Sequence, residues 1–315
     1  MLLSDVLLKR LEIDHNFSHG GMRVDFSVIV CTYNPKIRDL KFTLDSIICQ
    51  KGLNFEIIVS DDGSVDNRED FIVDYFEHNN FKNYSLRMDT ENKGTVQSII
   101  RAQMLAKGKY IKTIGQGDSL TDELVLRDVY NYMESNSAEC VFTKMSLFKW
   151  QDEQIKYISK SIPRRLSPWI EGNKKSICEN VIVFNDQISG ASIFLKKEYS
   201  EKMMDVMRIS TKYMEDLFQY ISLINNDRIF FFDRMCIMYE CGEGISTSSN
   251  SSSKNKMKND KDRFLNYLFE HYCDNQMVQR RCHLENIEHT KSSKILKVIK
   301  KVIAEPKWIY FRILR

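Results

Sequence analysis

The alternation of apolar and polar positions is clearest between residues 26 and 120. Two compact apolar runs stand out, 26–30 and 55–59, each β-branched and each passing into polar residues at its C-terminal end. The first leads into Cys31-Thr32-Tyr33-Asn34-Pro35, the second into Ser60-Asp61-Asp62-Gly63-Ser64. Between them Leu40, Leu44, Ile47 and Ile48 recur at helical spacing over 36–50. Such a pattern predicts a strand, a crossover helix and a parallel strand. A second helix is expected over 68–78, with Phe71, Ile72, Tyr75 and Phe76 as its apolar stripe. A short strand over 85–89, a helix over 94–106 ending at Gly108, and a strand over 110–114 complete the alternation. Four strands alternating with three helices describe a doubly wound α/β half.

The remainder is less regular. Helices are expected at 124–133, 198–207, 215–223, 263–273 and 294–304, and strands at 140–147, 189–195 and 228–239. Residues 150–180 give mixed signals, interrupted by Pro163 and Pro168. The stretch 246–262 is rich in Ser, Asn and Lys, which reads as a mobile loop. The expected organisation is therefore a leader over 1–22, a ligand-binding half over 23–120, and a second half over 121–245. A flexible loop over 246–262 and a helical, basic region over 263–315 would follow.

A chain of 315 residues with a formal net charge of +3 carries no whole-molecule nucleic-acid footprint. No apolar run reaches the length of a membrane span. The 8 cysteines form no CxxC pair and lie scattered through apolar patterns, which fits a reducing cytoplasm. His271, Cys273, Cys282 and His283 have zinc-capable side chains, yet their spacing matches no common zinc pattern.

The polar strand ends carry the candidate chemistry. In open α/β sheets ligands bind at the carboxyl ends of the strands. The acidic pair Asp61-Asp62 there repels a bare phosphate but suits base donors, ribose hydroxyls or a metal carrying a diphosphate. Asp118 closes the fourth strand in a Gly115-Gln116-Gly117-Asp118 turn, and Glu215-Asp216 open a helix after Tyr213-Met214. Taken singly, Asp118 reads as an Asx turn or N-cap, and Glu215-Asp216 as a complement to a helix dipole. Trp150 and Trp169 are either sugar-stacking platforms or packing residues. Near the C-terminus Lys291, Lys294, Lys297, Lys300 and Lys301 interleave with Ile295, Val298, Ile299, Val302 and Ile303, and Trp308, Tyr310 and Phe311 follow. This is either a membrane-surface helix or a terminal helix packed on its own domain with a solvated lysine face.

The residues from 26 to 120 resemble the family 2 glycosyltransferases of the GT-A type. The matching stretches are Ser27-Val28-Ile29-Val30-Cys31-Thr32-Tyr33-Asn34, Leu44-Asp45-Ser46-Ile47 with Gln50, and the run from Glu56 through Ser60-Asp61-Asp62-Gly63-Ser64 to Asp66. Glu91-Asn92-Lys93-Gly94 and Ala106-Lys107-Gly108-Lys109-Tyr110-Ile111 follow in the same order. The resemblance implies a GT-A fold with a mixed central sheet, a nucleotide-sugar donor (UDP-linked) and a manganese or magnesium ion.

It further implies that Thr32, Tyr33 and Asn34 line the nucleoside, that Asp61 accepts from the base, and that Asp62 sits near the ribose. Lys93, with Gly94 beside it, would face the nucleotide. Asp118 would be the metal ligand and Asp216 the base, with Glu215 orienting it or contacting the acceptor. Gly190 and Ala191 would flank the acceptor. The family's acidic motif normally reads Asp-x-Asp; here Gly115 and Gly117 take the usual acidic places, which puts metal dependence in question. The expected activity is inverting sugar transfer to a glycan or lipid-linked oligosaccharide at the cytoplasmic face of a membrane. The turn at 242–246 would act as a lid over the donor or be a plain loop. A non-catalytic, nucleotide-sugar-binding member of the family is the competing expectation.

Overall fold

A computed structural model of the chain describes residues 23–159, 162–242, 244 and 250–313. The expected leader over 1–22 lies outside the described residues, as does most of the turn at 242–246.

The first half follows the apolar pattern closely. Strands β1 (Phe26–Thr32), β2 (Phe55–Asp61), β3 (Tyr84–Met88) and β4 (Tyr110–Gly115) alternate with helices α1 (Ile37–Ile48), α2 (Glu69–His78) and α3 (Thr95–Gln103). β1 pairs in parallel with both β2 and β4, and β2 with β3. The registers are aligned, so that Thr32 lies opposite Asp61 and Cys31 opposite Gly115. Three polar turns therefore emerge at one sheet edge. Val28, Val30, Ile57 and Val59 are fully buried on one sheet face with Leu40, Leu44 and Ile47 of α1, while Ile29 and Ile58 bury on the other against Ala102 of α3. Both faces are covered, as parallel sheets require.

The second half extends this sheet. After the short β5 (Ser119–Leu120) come α4 (Val125–Asn136), β6 (Cys140–Gln151), β7 (Gln154–Ile158), β8 (Ile193–Lys196), α5 (Lys197–Ser210), α6 (Phe218–Ile224) and β9 (Ile229–Glu240). The strand order is β3-β2-β1-β4-β8-β6-β9-β5, with β7 paired to β6. β8 runs antiparallel to β4 and β6, and β9 runs parallel to β6. This reversal brings the start of β8 and the ends of β6 and β9 to the same edge as the ends of β1, β2 and β4.

Three expectations are corrected. The strand expected over 189–195 begins only at Ile193, because Gly190–Ser192 forms a 3-10 turn whose first amide is tied to Asp216. The helix expected over 215–223 opens as a 3-10 turn, Glu215–Leu217, before α6. The loop expected over 246–262 is helical from Ser251 onward, within α7 (Ser251–His271), which also absorbs the helix expected over 263–273. Ser253, Met257, Asp260 and Phe264 share one face of α7, and Asp260 is the only buried residue of 251–262. A helix whose inward residue is a carboxylate shows no apolar period.

Two further helices flank the expected one, now α9 (Lys294–Ala304): α8 (Gln276–Glu288) before it and α10 (Trp308–Ile313) after it. The sequence reading misses α8 because Arg281, at 5% exposure, takes a core position beside Val278 and Leu284. The two tryptophans pack. Trp169 lies edge-on against Phe142, and Trp150 sits between Phe42 and Phe148 with the Arg38 guanidinium over its ring.

Candidate active site

The first polar turn is built on carboxylates that organise backbone. Asp61 is fully buried and accepts from Thr32 Oγ1 (2.8 Å), Ser64 N (2.8 Å) and Ser64 Oγ (2.6 Å), which joins the ends of β1 and β2. Ser64 Oγ in turn accepts from Asn34 N, and Val65 N donates to Asn34 Oδ1, so residues 32–34 and 61–65 form one surface. Asp62 accepts from Lys93 N and Gly94 N, both at 2.8 Å, which draws the 93–94 loop to the same edge. Burial raises the Asp62 pKa above the usual carboxylate range while these two amides pull it back. Gly94 sits at φ +93, where the side chain and carbonyl of Lys212 press against it, so only glycine fits. Tyr33, half-exposed, is fastened by its amide to Gln116 Oε1 of the Gly115–Asp118 turn.

Beside these loops a cleft of about 370 Å³ is lined by Asp118, Glu215, Asp216, Gly190, Ala191, Thr95 and Glu240, among others. A larger cleft of about 560 Å³ lies at the opposite sheet edge, near the starts of β6 and β9, away from the paired carboxylates. The Asp118 turn is held from below, since Thr43 Oγ1 of α1 donates to Asp118 O and accepts from Gly117 N. Asp118 Oδ1 accepts from Glu240 N at 2.9 Å, and burial pushes the Asp118 pKa up to about 7. Gly117, at φ +93, is where a Cβ would run into Glu240 Oε2. The carboxylate missing from position 117 is thus replaced in space by one from the end of β9. Glu240 escapes the sequence reading, although it continues the signal of an acidic residue closing a strand.

Across the cleft, Asp216 Oδ2 accepts from Gly190 N at 3.2 Å. Gln219 Nε2 donates to both Asp216 O and Ile188 O, and Gln219 Oε1 accepts from Ile188 N, locking the turn before β8 to the Glu215-Asp216 turn. Burial raises both pKa values, and repulsion from Asp216 raises that of Glu215 further. An ideal Cβ at Gly190 would lie 2.6 Å from Glu215 Oε1 and 3.2 Å from Asp216 Cβ. Gly190→Ala is expected to displace the pair and lower activity by about 10-fold or more with the fold retained, as read by steady-state kinetics alongside circular dichroism.

The pair is also held from behind. Asp260 of α7 is buried and its Oδ2 accepts from the amides of Lys212 (2.9 Å), Tyr213 (2.5 Å) and Met214 (3.1 Å), immediately before Glu215. Removing that acceptor leaves partly buried donors without their partner, each costing up to about 1–3 kcal/mol. Asp260→Ala is expected to lower Tm and kcat together while donor Kd changes little, and Asp260→Asn, which keeps an acceptor oxygen, to restore most of both. Equal kcat in the Ala variant and the parent would remove this role.

The comparisons with known proteins bear on this arrangement. The family description that matches is Glycosyl transferase family 2, over residues 27–198. The chain belongs to that family. An uncharacterized glycosyltransferase of Mycoplasma genitalium is 25% identical to this glycosyltransferase over 240 residues, covering 73% of each chain. Among solved structures, S. aureus TarS 1-349 in complex with UDP-GlcNAc superposes with a TM-score of 0.57 at 19% identity, covering 91% of this chain and 79% of that one. The same TarS fragment in complex with UDP gives 0.50 at 16% identity, covering 92% and 88%. The likeness establishes the GT-A fold of this glycosyltransferase.

Proposed function

We propose that the chain is an inverting hexosyltransferase that moves a sugar from a UDP-linked donor to a hydroxyl of a glycan or lipid-linked oligosaccharide in surface polysaccharide synthesis. The observation that carries this reading is the single cleft in which Glu215-Asp216 face Asp118 beside the 32–34, 61–65 and 93–94 loops. TarS, similar in fold, is seen with UDP-GlcNAc, which supports a uridine donor here. The loop surface from Thr32 to Asn34 would receive the nucleoside, with Asp61 and Asp62 shaping it and Lys93 at its rim. Asp216 would take the proton from the incoming hydroxyl, its raised pKa bringing it closer to the basicity a general base needs near neutrality. Glu215 would orient that hydroxyl. One base opposite the leaving group gives one displacement and inversion at the anomeric carbon. Gly190 and Ala191, without bulky side chains, leave the acceptor room.

A manganese or magnesium ion fits the donor set. Among the described residues no group of three or more metal-capable side chains occurs. Asp118 and Glu240 nevertheless offer hard oxygens, and Gly117 leaves the space that the Glu240 carboxyl enters. They would hold the ion together with donor phosphate oxygens and water. When bound, it supplies Lewis-acid stabilisation of the departing diphosphate.

No helix among the described residues is long and apolar enough to cross a membrane. The acceptor would be met at the cytoplasmic membrane face, with the chain attached peripherally through 291–315. A panel of nucleotide sugars with and without manganese tests the reading. A UDP-sugar is expected to raise Tm by mass action and to be slowly hydrolysed. Binding without turnover, with metal and a range of acceptors present, would favour the non-catalytic reading.

A further inference from the structure

Helix α9, next to last in the chain, sits on the protein inside out. Two of its lysines turn toward the domain: Lys301 Nζ bonds Glu288 Oε2 (2.5 Å) and lies 5.3 Å from the centre of the Trp308 ring, and Lys297 Nζ donates to Glu288 O (2.6 Å). The opposite side is apolar and open. Ile295 is 75% exposed and Ile303 76%, with Leu296, Val298 and Ile299 also exposed between them, and α9 has no buried residue. Ile309 and Tyr310 of α10 add to the exposed apolar surface. This arrangement contradicts the expectation of a terminal helix packed by its apolar face under a solvated lysine face. Water is a poor neighbour for a continuous isoleucine surface, so something else is expected to cover it.

The surface is also not on a loose tether. Arg280 of α8 bridges Glu305 (2.5 and 2.6 Å) and Glu179 (2.7 Å), and Lys307 bonds Glu179 (2.6 Å). Phe311 is buried and stacks on Phe184, its carbonyl accepting from Arg164 Nη1, with the Arg165 guanidinium over its ring. Asp186 accepts from the amides of Arg164 and Arg165, and the next residues, 187–190, line the cleft beside Asp216. The α9–α10 surface is therefore fastened to the acceptor side of the site.

We propose that the exposed face of α9 and α10 docks on an anionic lipid bilayer and, through this clamp, holds the acceptor side of the cleft in a fixed orientation to the membrane. The inference rests on the reading that the chain works at a membrane surface. Charge complementarity selects the partner: Lys291, just before α9, and Lys294 and Lys300 within it are exposed, placed to meet lipid phosphates while the isoleucines enter the acyl boundary.

Flotation of the full chain with vesicles of phosphatidylcholine, alone or mixed with phosphatidylglycerol, tests this. The chain is expected to float with the mixed vesicles, less so as salt rises, and to remain behind with phosphatidylcholine alone. Ile295→Asp with Ile303→Asp, both at exposed positions, is expected to lower partitioning by about tenfold or more. Lys294→Glu with Lys300→Glu is expected to weaken binding to the anionic vesicles. Brominated lipids are expected to quench Trp308 in a chain carrying Trp150→Phe and Trp169→Phe. Failure of the parent chain to float, or equal flotation of the isoleucine variant, overturns the proposal. So does self-association in sedimentation velocity that the isoleucine variant abolishes, which would make the face an interface between copies. Vesicle binding needs neither donor nor turnover, so its failure leaves the transfer reaction standing, and loss of the transfer reading leaves this result interpretable.

Discussion

Asp216→Asn is expected to lower kcat for sugar transfer by about 10²–10⁴-fold, the range a positioned general base supplies. Donor affinity should change by less than about threefold, because a general base takes up the acceptor proton only in the transition state. The asparagine amide oxygen can still accept from Gly190 N, so the turn that Asp216 anchors at 3.2 Å should persist. The pH profile gives a second readout. Burial raises the Asp216 pKa, and a base works only when ionised, so the rate should fall as pH drops through a value above the usual carboxylate range. Glu215, raised by burial and by Asp216, shares that titration, and the acid limb belongs to the pair. Transfer at the parental rate in the asparagine variant, measured by release of the nucleoside diphosphate, would move the base to another residue.

The first half was legible because its strands are buried on both faces and its crossings are amphipathic. Val28, Val30, Ile57 and Val59 have nowhere to sit except a covered parallel sheet, and aligned strands then place Thr32, Asp61 and Gly115 at one edge. Asp118, Gly190, Glu215 and Asp216 line one cleft. What escaped the reading depends on contacts between distant segments. Glu240 matters because Gly117 makes room for it, which neither residue announces alone. Asp260 sits in a stretch that composition marks as a loop, and its value lies in three amides some fifty residues upstream. Arg281 disguised α8 by occupying a core position with its guanidinium on Val183 O. The amphipathic pattern of α9 was plain, yet which face it turns outward depends on the partner Glu288.

Lys112→Met is the second change with a large expected effect. Lys112 lies in β4, between Ile111 and Thr113, and is fully buried. Its Nζ donates to Ala191 O (2.5 Å) and Ile193 O (3.3 Å), pinning the turn that carries Gly190 into β8, and it rests 4.6 Å from the Phe194 ring. Burial pulls its pKa down to about 7, against the opposing pull of Asp118, Cys236 and Glu215. Methionine keeps much of the volume but removes both of these hydrogen bonds, at about 1–3 kcal/mol for a buried group left without a partner. It also removes the cation that lowers the pKa of Asp118 and of Glu215. The sign follows directly: without that charge both carboxyls hold their protons to higher pH, and the acid limb of the rate profile moves upward. Activity near neutrality is expected to fall by about tenfold or more and to recover in part as pH is raised. A variant with reduced activity and an unshifted profile would leave Lys112 a packing residue. A shifted profile in a protein that binds donor normally would make it the charge that keeps this cleft ionised.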